Sequence, residues 1–460
     1  MTRVVIVGGG PGGYESALVA AQLGADVTVV DRDGLGGSCV LTDCVPSKTL
    51  IATAELMTAT ADSGLLGVRI AGGTTAGVSV DLAAVNARVK SLAAAQSADI
   101  EARLGREGVR VVKGLGRLEG PSVVVATDDT GDETAFPADA VLISTGARPR
   151  VVAGAEPDGE RILTWEQVYD LDVLPEKLVV VGSGVTGAEF ASAYNALGSE
   201  VVLVSSREHV LPGEDPDAAQ VLEDVFTRRG MKVLGRSRAQ SAVRTADGVV
   251  VTLADGSTVE GSHVLMAVGS LPNTEGIGLV ESGVSLNDSG YIRVDRVSRT
   301  SARGVYAAGD VTGVLMLASV AAMQGRIAMW HALGDAVDPL DLRTVSSNVF
   351  TDPEISTIGV TQADADSGAE DVRSVKLPLA TNARAKMQGL SDGFVKLFCR
   401  PGTGIVVGGV VVAPHASELI HPITMAVKHR LTVDDVAATF TVYPSLSGSI
   451  AEAARQLHTH

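Results

Sequence analysis

Two cysteines five positions apart carry the most evident chemistry in the sequence. Cys39 and Cys44 lie in a segment that begins with two glycines and continues to Lys48. If this segment is helical, a local distortion near Thr42 and Asp43 would let the two sulfur atoms meet. A neighbouring lysine supplies a positive charge that stabilises a thiolate. The spacing therefore favours a redox-active pair of thiols.

Two other interpretations of these cysteines are weaker. A buried cysteine often acts only as a small hydrophobic residue, but the chain has three cysteines in all and two of them cluster here. A structural zinc site needs four ligands, and no second cysteine or histidine pair completes such a set. The sequence thus predicts a redox pair and no metal site.

Composition limits the remaining possibilities. A chain of 460 residues corresponds to about three domains. The net charge of −17 argues against nucleic acid or an anionic membrane surface as a partner. No apolar run approaches the roughly 18 residues of a membrane span, and the N-terminus lacks the layout of a signal peptide. With so few cysteines, we expect a cytoplasmic protein whose cysteine pair is catalytic rather than structural.

A nucleotide-binding pattern opens the chain. The apolar run Val4–Val7 leads into Gly8-x-Gly10-x-x-Gly13, then a helical stretch, then a strand that ends at Asp31. Such glycines let a pyrophosphate approach the helix N-terminus, and the carboxylate accepts hydrogen bonds from a ribose.

The same pattern returns later in the chain. Gly182, Gly184 and Gly187 again lie between an apolar strand and a helix, and a second strand ends at Ser205. The first glycine and the end of the second strand are 23 positions apart in both units. Two such units predict two dinucleotide sites.

These motifs resemble those of the pyridine nucleotide–disulfide oxidoreductases, the FAD enzymes related to dihydrolipoamide dehydrogenase, glutathione reductase and mercuric reductase. The cysteine segment matches that family at Gly36, Gly37, Cys39, Cys44, Pro46, Ser47 and Lys48. The resemblance implies an α/β fold with two Rossmann-like dinucleotide-binding domains and a C-terminal α+β dimerisation domain. The implied boundaries are 1–148 and 272–345 for the FAD domain, 149–271 for the NAD(P) domain and 346–460 for the dimerisation domain. A homodimer is expected on the same ground.

The resemblance also implies individual site residues. Those expected at the FAD are Gly8, Gly10, Gly13, Asp31, Gly37, Ser38, Lys48, Thr145, Gly146, Asp310, Leu317 and Ala318. Those expected at the nicotinamide cofactor are Gly182, Gly184, Gly187, Ser205, Ser206, Arg207 and Gly269. Cys44 would face the flavin and Cys39 would be the outward interchange thiol. Glu189 would pair with Lys48 beside the flavin; the alternative is an exposed glutamate favoured by the helix dipole.

The end of the second nucleotide unit bears on the choice of cofactor. An enzyme that prefers NADH would be expected to carry an acidic residue at position 205, but the run is Ser205-Ser206-Arg207. Hydroxyls and a guanidinium suit a 2′-phosphate, although these could also be ordinary solvated loop residues. We expect NADPH to be accepted and NADH to be tolerated.

The C-terminal region departs from the family. In the disulfide reductases of the family, a histidine followed by proline and threonine shuttles protons for the substrate thiols. A glutamate five residues later orients that histidine. The matching segment here has Tyr443 in place of the histidine and Gly448 in place of the glutamate. A nearby pair, His421-Pro422, lies 22 residues too early, in or before the preceding helix, and we do not regard it as the counterpart.

This departure changes the expected acceptor. An imidazole with an ordinary pKa of about 6.5 suits proton transfer at neutral pH, whereas a phenol near 10 does not. General acid–base catalysis contributes roughly 10²–10⁴-fold, so lipoamide turnover should be slow while hydride transfer to the flavin survives. The chain resembles the atypical actinobacterial flavoproteins of this family that act as NAD(P)H:quinone reductases. The leading hypothesis is therefore an FAD-dependent NAD(P)H dehydrogenase acting on a quinone.

The sequence leaves three alternatives. A true dihydrolipoamide dehydrogenase, with Tyr443 or water replacing the base, is kept open by the two intact cysteines, whose cycling in turnover is itself open. A flavin redox sensor of low turnover is disfavoured by the intact nucleotide motifs. A mercuric reductase is disfavoured because Cys399 is the last cysteine and stands alone.

Overall fold

The valine-rich runs beside each glycine motif form buried parallel strands, as near-continuous apolar runs do. The computed structural model describes residues 1–70 and 78–458. The chain divides into two units. The first comprises Met1–Thr49, Asn86–Arg150 and Gly269–Asp341, and the second comprises Leu50–Val85, Val151–Val268 and Leu342–His460.

A five-stranded parallel sheet forms the centre of the first unit. Its core is built from strand residues that are almost fully buried, such as Val4, Ile6, Val29 and Leu142. The strands lie in the order Val305–Ala307, Ala140–Ile143, Arg3–Val7, Asp26–Asp31 and Arg110–Lys113. Because parallel strands all end at one edge, the turn after Val7 and the turn after Ile143 lie side by side.

Helices and two small antiparallel sheets complete the first unit. The helices are Pro11–Gln22, Gly37–Leu41 and Ala318–Ala332, with the short turn Asp310–Thr312 and parts of the long helices Cys44–Asp62 and Leu82–Arg106. The antiparallel strands are Leu115–Leu118, Val123–Thr127 and Glu133–Pro137 in one sheet, and Ala147–Pro149 with Ser270–Pro272 in the other.

The second unit contains a similar parallel sheet with its own helices. Its strands lie in the order Lys232–Leu234, Glu200–Val204, Lys177–Val181, His263–Met266 and Ile162–Leu163. The helix Val185–Leu197 follows the strand Lys177–Val181 in the chain, and the helix Pro216–Arg228 follows the strand Glu200–Val204. Three antiparallel strands, Ala239–Arg244, Val249–Leu253 and Thr258–Gly261, form a separate sheet, and the turns Ser63–Leu66 and Val168–Asp170 are also part of this unit.

A second core in the same unit is built from the C-terminal residues. Its antiparallel sheet has the order Ser346–Val349, Glu354–Gly359, Val406–Ala413, Phe394–Cys399 and Arg373–Pro378. The helices Gln362–Asp366, Ala383–Met387, Ala416–His429, Val433–Ala438 and Gly448–Gln456, with the turns Leu342–Thr344 and Leu379–Thr381, belong to the same region. An antiparallel sheet with segregated helices is the α+β arrangement expected there.

The breaks between the units fall at 150/151, 268/269 and 341/342, and the domain boundaries expected from sequence stay predictions. Residues 50–70 and 78–85 belong to the second unit, although the sequence assigns this stretch to the FAD domain. Packing explains the difference: Ile51 and Ala54 line a small cavity together with Ser192, Ala193 and Phe350 of that unit. Within the described ranges, no helix is both long and apolar enough to cross a membrane.

Candidate functional site

The first glycine motif leaves an open space before a helix N-terminus. Gly8 has φ +100°, and a Cβ there would lie 2.2 Å from the carbonyl oxygen of Ser144. A Cβ on Gly13 would lie 1.9 Å from the carbonyl oxygen of Gly8. These two glycines are therefore required by the close packing of the turn. Gly10 differs, because nothing lies within 4 Å of a Cβ placed on it, and no side chain caps the helix Pro11–Gln22.

Asp31 ends the second strand and holds the neighbouring loop. One carboxylate oxygen accepts the N–H of Gly9 at 2.7 Å, and the other accepts those of Asp33 at 2.9 Å and Gly34 at 2.6 Å. The carboxylate is thus oriented beside the glycine turn, where a ribose hydroxyl is expected. We take the open space at Gly10 and this carboxylate as a fit to the ADP half of FAD.

In the first unit, the segment after Thr145 and Gly146 pairs with the segment after Gly269. The Thr145 hydroxyl donates to the carbonyl of Asn273 at 2.7 Å, and the Asn273 amide donates to the carbonyl of Thr145 at 2.9 Å. Gly146 and Gly269 have positive φ, with nothing within 4 Å of an added Cβ. The two segments therefore pass each other as a bonded pair with open space at both glycines.

The second glycine motif repeats the geometry of the first. A Cβ on Gly182 would lie 2.1 Å from the carbonyl oxygen of Ala267, and one on Gly187 would lie 1.8 Å from that of Gly182. Gly184 again has nothing within 4 Å of an added Cβ and begins an uncapped helix, Val185–Leu197. The duplicated geometry supports a second dinucleotide site.

In the run Ser205-Ser206-Arg207, two side chains are exposed and one is buried. Ser205 is completely buried, and its hydroxyl lies 2.7 Å from the hydroxyl of Ser183. It also accepts the N–H of Arg207 at 3.1 Å. The expectation that Ser205 offers its hydroxyl to a phosphate is therefore wrong, because that hydroxyl is committed inside the loop. Ser206 and Arg207 are exposed.

The helix in the cysteine segment breaks where the sequence suggested. Helix Gly37–Leu41 ends at Thr42, and a new helix begins at Cys44. The N–H groups of Thr42 and Asp43 both bond to the carbonyl of Ser38, at 2.9 and 2.8 Å. A Cβ on Gly37 would lie 2.9 Å from the Cα of Gly10. The cysteine segment therefore packs directly against the first nucleotide loop.

The two cysteines are free thiols joined by a hydrogen bond. The bond from Cys44 lowers the pKa of Cys39, although burial and the charges of Asp43 and Asp310 oppose this effect. The same bond, followed by burial and Asp43, raises the pKa of Cys44. Lys48 lowers the pKa of both thiols. One thiol of the pair thus loses its proton more easily because the other shares its proton with it.

Asp310 lies near this pair, since its charge acts on Cys39. Burial, followed by the charge of Asp43, raises the pKa of Asp310 to about 6. Leu317 is the N-cap residue of helix Ala318–Ala332, and this helix also has no side-chain cap. The partly buried carboxyl and the uncapped helix are consistent with the FAD contacts expected of Asp310, Leu317 and Ala318.

Glu189 is a buried residue of helix Val185–Leu197, with 3% of its surface exposed. Its carboxylate accepts the N–H of Phe350 at 2.9 Å. The alternative of an exposed glutamate is therefore wrong. Lys48 belongs to the first unit, and its pairing with Glu189 stays a prediction.

Tyr443 is 85% exposed, and its neighbours Phe440 and Val442 are also exposed. The turn after it is anchored, since the amide of Asn382 donates to the carbonyl of Ser445 at 3.0 Å. His421 and Pro422 lie inside helix Ala416–His429, as expected of a pair that is not the histidine motif.

Sequence reasoning missed two residues near the thiols. Asp43 entered only as part of a helix break, although an acidic residue between two reactive cysteines is itself a signal. Tyr14 is a neighbour of Cys39, and burial, together with Glu15 and Cys39, raises the pKa of its phenol. Nothing in the spacing of Tyr14 pointed to that contact.

The chain has two open glycine turns at helix N-termini, and a pair of thiols lies in the segment packed against the first of them. These features define a nucleotide-dependent redox enzyme. Family models agree: residues 2–325 match the pyridine nucleotide-disulphide oxidoreductases, and residues 345–454 match the dimerisation domain of the same family. The chain belongs to this family, whose enzymes use FAD and NAD(P)H. The family, fold class and cofactors expected from sequence are thereby confirmed.

Individual relatives extend the match over the whole chain. The NAD(P)H dehydrogenase (quinone) of Mycobacterium tuberculosis is 56% identical over 469 residues, covering 100% of this chain and 94% of that protein. The dihydrolipoyl dehydrogenase of Bacillus subtilis is 32% identical over 465 residues, covering 98% and 97%.

Solved structures give the same result for the fold. The crystal structure of LpdA from Mycobacterium tuberculosis has a TM-score of 0.95 at 56% identity, covering 100% of both chains. The HOCl-induced flavoprotein disulfide reductase RclA from Escherichia coli has a TM-score of 0.87 at 23% identity, covering 98% of this chain and 99% of that one, and shares the fold. Among the described residues, no group of three or more histidine, cysteine or acidic side chains is arranged to hold a metal ion.

Proposed function

We propose that this protein is an FAD-dependent NAD(P)H dehydrogenase that passes electrons to a quinone. The observation that carries the proposal is the full-length identity of 56% to a protein named NAD(P)H dehydrogenase (quinone). Proteins named dihydrolipoyl dehydrogenase are more distant, at 32–33% identity.

Tyr443 supports the same acceptor on chemical grounds. Reduction of a disulfide requires a base that holds and returns thiol protons near neutral pH, and a tyrosine is poorly matched to that task. A quinone takes its electrons without thiol chemistry. The loss of the histidine and its orienting glutamate therefore impairs one kind of acceptor and spares the other.

The residues around the flavin site take the following roles in this proposal. When bound, FAD supplies the centre that accepts hydride from NAD(P)H and gives electrons to the acceptor. Lys48 supplies a fixed positive charge beside the reacting edge. Cys44 lies on the flavin side of the dithiol and Cys39 on the outer side. Tyr443 stands in the place of the missing base.

The nicotinamide site accepts NADPH in this proposal. The exposed hydroxyl of Ser206 and the guanidinium of Arg207 hold the 2′-phosphate, while Ser205 shapes the loop through its bond to Ser183. No carboxylate occupies position 205 to repel that phosphate. NADH binds through the remaining contacts of the glycine motif and is tolerated.

We further propose that the enzyme is a cytoplasmic homodimer. The chain carries a dimerisation domain of this family over residues 345–454. The exposed apolar side chains of Phe440 and Val442 lie in that domain and are suited to burial against a second copy.

Stopped-flow spectroscopy tests the function. The flavoprotein is reduced anaerobically with one equivalent of NADPH and then mixed with menadione or with lipoamide. We expect menadione to reoxidise the flavin faster than lipoamide does, because lipoamide turnover without acid–base assistance loses about 100-fold or more. Faster reoxidation by lipoamide would overturn the proposal.

One observation favours a second candidate, a dihydrolipoamide dehydrogenase that works without the histidine. Both thiols are present and hydrogen-bonded to each other, which is the arrangement needed for disulfide exchange. In that case, Cys39→Ser would abolish lipoamide reduction and leave menadione reduction unchanged. A flavin sensor of low turnover would instead show slow reoxidation by both acceptors.

A further inference from the structure

The acidic residue between the two cysteines lies at a sensitive place. Asp43 directly precedes Cys44, the first residue of helix Cys44–Asp62. Its carbonyl accepts the N–H of Ser47 at 2.7 Å, an i→i+4 bond that begins the helix. The carboxylate of Asp43 is therefore attached at the N-terminal end of the helix that carries Cys44.

This position works against a thiolate. The N-terminus of a helix carries partial positive charge and normally lowers the pKa of a cysteine there. A carboxylate at the same end offsets that charge. The effect reaches a cluster. Asp43 adds to the Cys39 bond and the burial that raise the pKa of Cys44, and to the burial that raises the pKa of Asp310. At Cys39 it opposes the bond from Cys44 that lowers the pKa of that thiol.

The other charged and titratable groups facing the pair come from the helix of Cys44 itself and from two further elements. Lys48, on the same helix as Cys44, lowers the pKa of both thiols. Asp310 raises the pKa of Cys39, and the phenol of Tyr14 interacts with Cys39 from helix Pro11–Gln22. The pair therefore lies among two carboxylates, a phenol and one ammonium group, and Asp43 is the carboxylate that acts on both thiols.

Disulfide reduction depends on these thiolates. The Cys39 thiolate attacks one sulfur of a disulfide acceptor, an S–S bond forms, and the second acceptor sulfur leaves as a thiolate. The Cys44 thiolate then attacks the Cys39 sulfur and releases the first acceptor sulfur. The enzyme dithiol becomes a disulfide and the acceptor becomes a dithiol, with two electrons and two protons transferred. Both attacks slow when thiolate is scarce.

We propose that Asp43 is a positioning residue for acceptor choice, whose carboxylate suppresses thiolate formation in the Cys39–Cys44 pair and so holds the enzyme away from disulfide acceptors. Its effect on the thiols is independent of the acceptor. The statement about acceptor choice rests on the proposed quinone reductase function.

The test compares Asp43→Asn with the wild-type holoenzyme. Asparagine keeps the size of the side chain and is a good residue at a helix cap. The thiols are reduced, and the rate of alkylation by iodoacetamide at Cys39 and Cys44 is followed by peptide mass spectrometry between pH 5 and 10. We expect the alkylation midpoint of the pair to fall by about one pH unit, which gives about tenfold more thiolate below the midpoint.

Two control variants separate charge at this site from general effects. Asp62→Asn makes the same substitution at the opposite end of the same helix, and its alkylation profile should match the wild type. Asp43→Glu restores the charge and should return the midpoint towards the wild-type value. An unchanged midpoint in Asp43→Asn, or equal shifts in Asp43→Asn and Asp62→Asn, overturns the proposal.

Acceptor kinetics supply the second readout. Tenfold more thiolate is partly offset by its lower nucleophilicity, so lipoamide reduction by Asp43→Asn should rise about threefold and menadione reduction should not change. A shifted midpoint without that rise overturns the statement on acceptor choice. A shifted midpoint in an enzyme that never reduces menadione overturns the proposed function and leaves the role of Asp43 at the thiols intact.

Discussion

At the scale of single residues, the coenzyme loop separates into one buried and two exposed side chains. The buried hydroxyl of Ser205 is hydrogen-bonded to Ser183. We therefore expect Ser206 and Arg207 to discriminate between NADPH and NADH. We expect Arg207→Ala to raise the KM for NADPH about tenfold and leave that for NADH nearly unchanged, because a charge-assisted hydrogen bond contributes about 1.5 kcal/mol or more. Steady-state kinetics with both coenzymes measure this.

Arg244 provides the matched control for that substitution. It is an arginine of the same unit, paired with Glu160 at 2.6 Å, and Arg244→Ala should leave both KM values unchanged. Equal increases for NADPH and NADH in Arg207→Ala would show that the residue supports the fold of the loop instead of reading the 2′-phosphate.

The raised pKa of Asp310 has a consequence for stability. Its folded-state pKa of about 6 exceeds the ordinary value of 3.8, so the folded protein favours the protonated form. The stabilising contribution is present below pH 4 and is lost as the pH rises to about 6. We expect FAD-free Asp310→Asn to be more stable than FAD-free wild type above pH 6, and the difference to shrink towards pH 4.

Urea unfolding of the FAD-free proteins between pH 4 and 8 measures this difference. Asp33→Asn, which changes an exposed carboxylate of the same unit, is the control and should show no such trend. A stability difference for Asp310→Asn that stays constant with pH would contradict the expectation.

At the scale of elements, each glycine turn combines two structural glycines with one that leaves space for a ligand. Gly10→Ala adds a methyl group where nothing lies within 4 Å, so the turn should fold. That methyl group would occupy the approach of the pyrophosphate to helix Pro11–Gln22. We expect the FAD affinity to fall at least about tenfold, by loss of helix-terminus and backbone contacts.

Gly105, inside helix Leu82–Arg106, is the control glycine. A Cβ there also has nothing within 4 Å, and alanine should stabilise that helix by about 0.5–1 kcal/mol without altering FAD binding. Fluorescence titration of FAD into the stripped proteins distinguishes the two variants. Equal FAD affinity in Gly10→Ala and the wild type would exclude this turn as the pyrophosphate site.

At the scale of the whole molecule, a buried ion cluster ties the C-terminal sheet to the nicotinamide-binding part of the second unit. Lys396 has a side chain 3% exposed and contacts both carboxylate oxygens of Asp215, at 2.9 and 2.7 Å. It also pairs with Asp217 at 2.6 Å. Asp215 is at the same time the N-cap of helix Pro216–Arg228. One lysine therefore holds an element that follows the coenzyme loop.

Removing that charge should destabilise the second unit strongly. Lys396→Met leaves the buried carboxylate of Asp215 without its cation, a change that typically costs about 3–5 kcal/mol. Lys376→Met removes a lysine that is 46% exposed and also contacts Asp217, and should cost about 1 kcal/mol or less. Urea unfolding followed through the buried Trp165 of this unit measures both. Equal losses in the two variants would contradict this account.

Local pattern was sufficient for much of the site. Gly8, Gly13 and the corresponding pair Gly182 and Gly187 were identifiable because only glycine fits turns that tight, and the strands beside them because apolar runs must be buried. The helix break before Cys44 was also predictable, because two sulfur atoms five residues apart can meet only if the helix between them is interrupted. These features depend on a few consecutive residues.

Only the tertiary structure decided what each polar side chain can reach. The hydroxyl of Ser205 is bonded to that of Ser183, 22 positions away in the chain. The carboxylate of Glu189 accepts the backbone N–H of Phe350, 161 positions away. The placement of residues 50–70 and 78–85 in the second unit likewise depends on distant partners. Sequence spacing determines local geometry, whereas burial and charge at a site arise from chain segments that packing brings together, and no local pattern encodes those contacts.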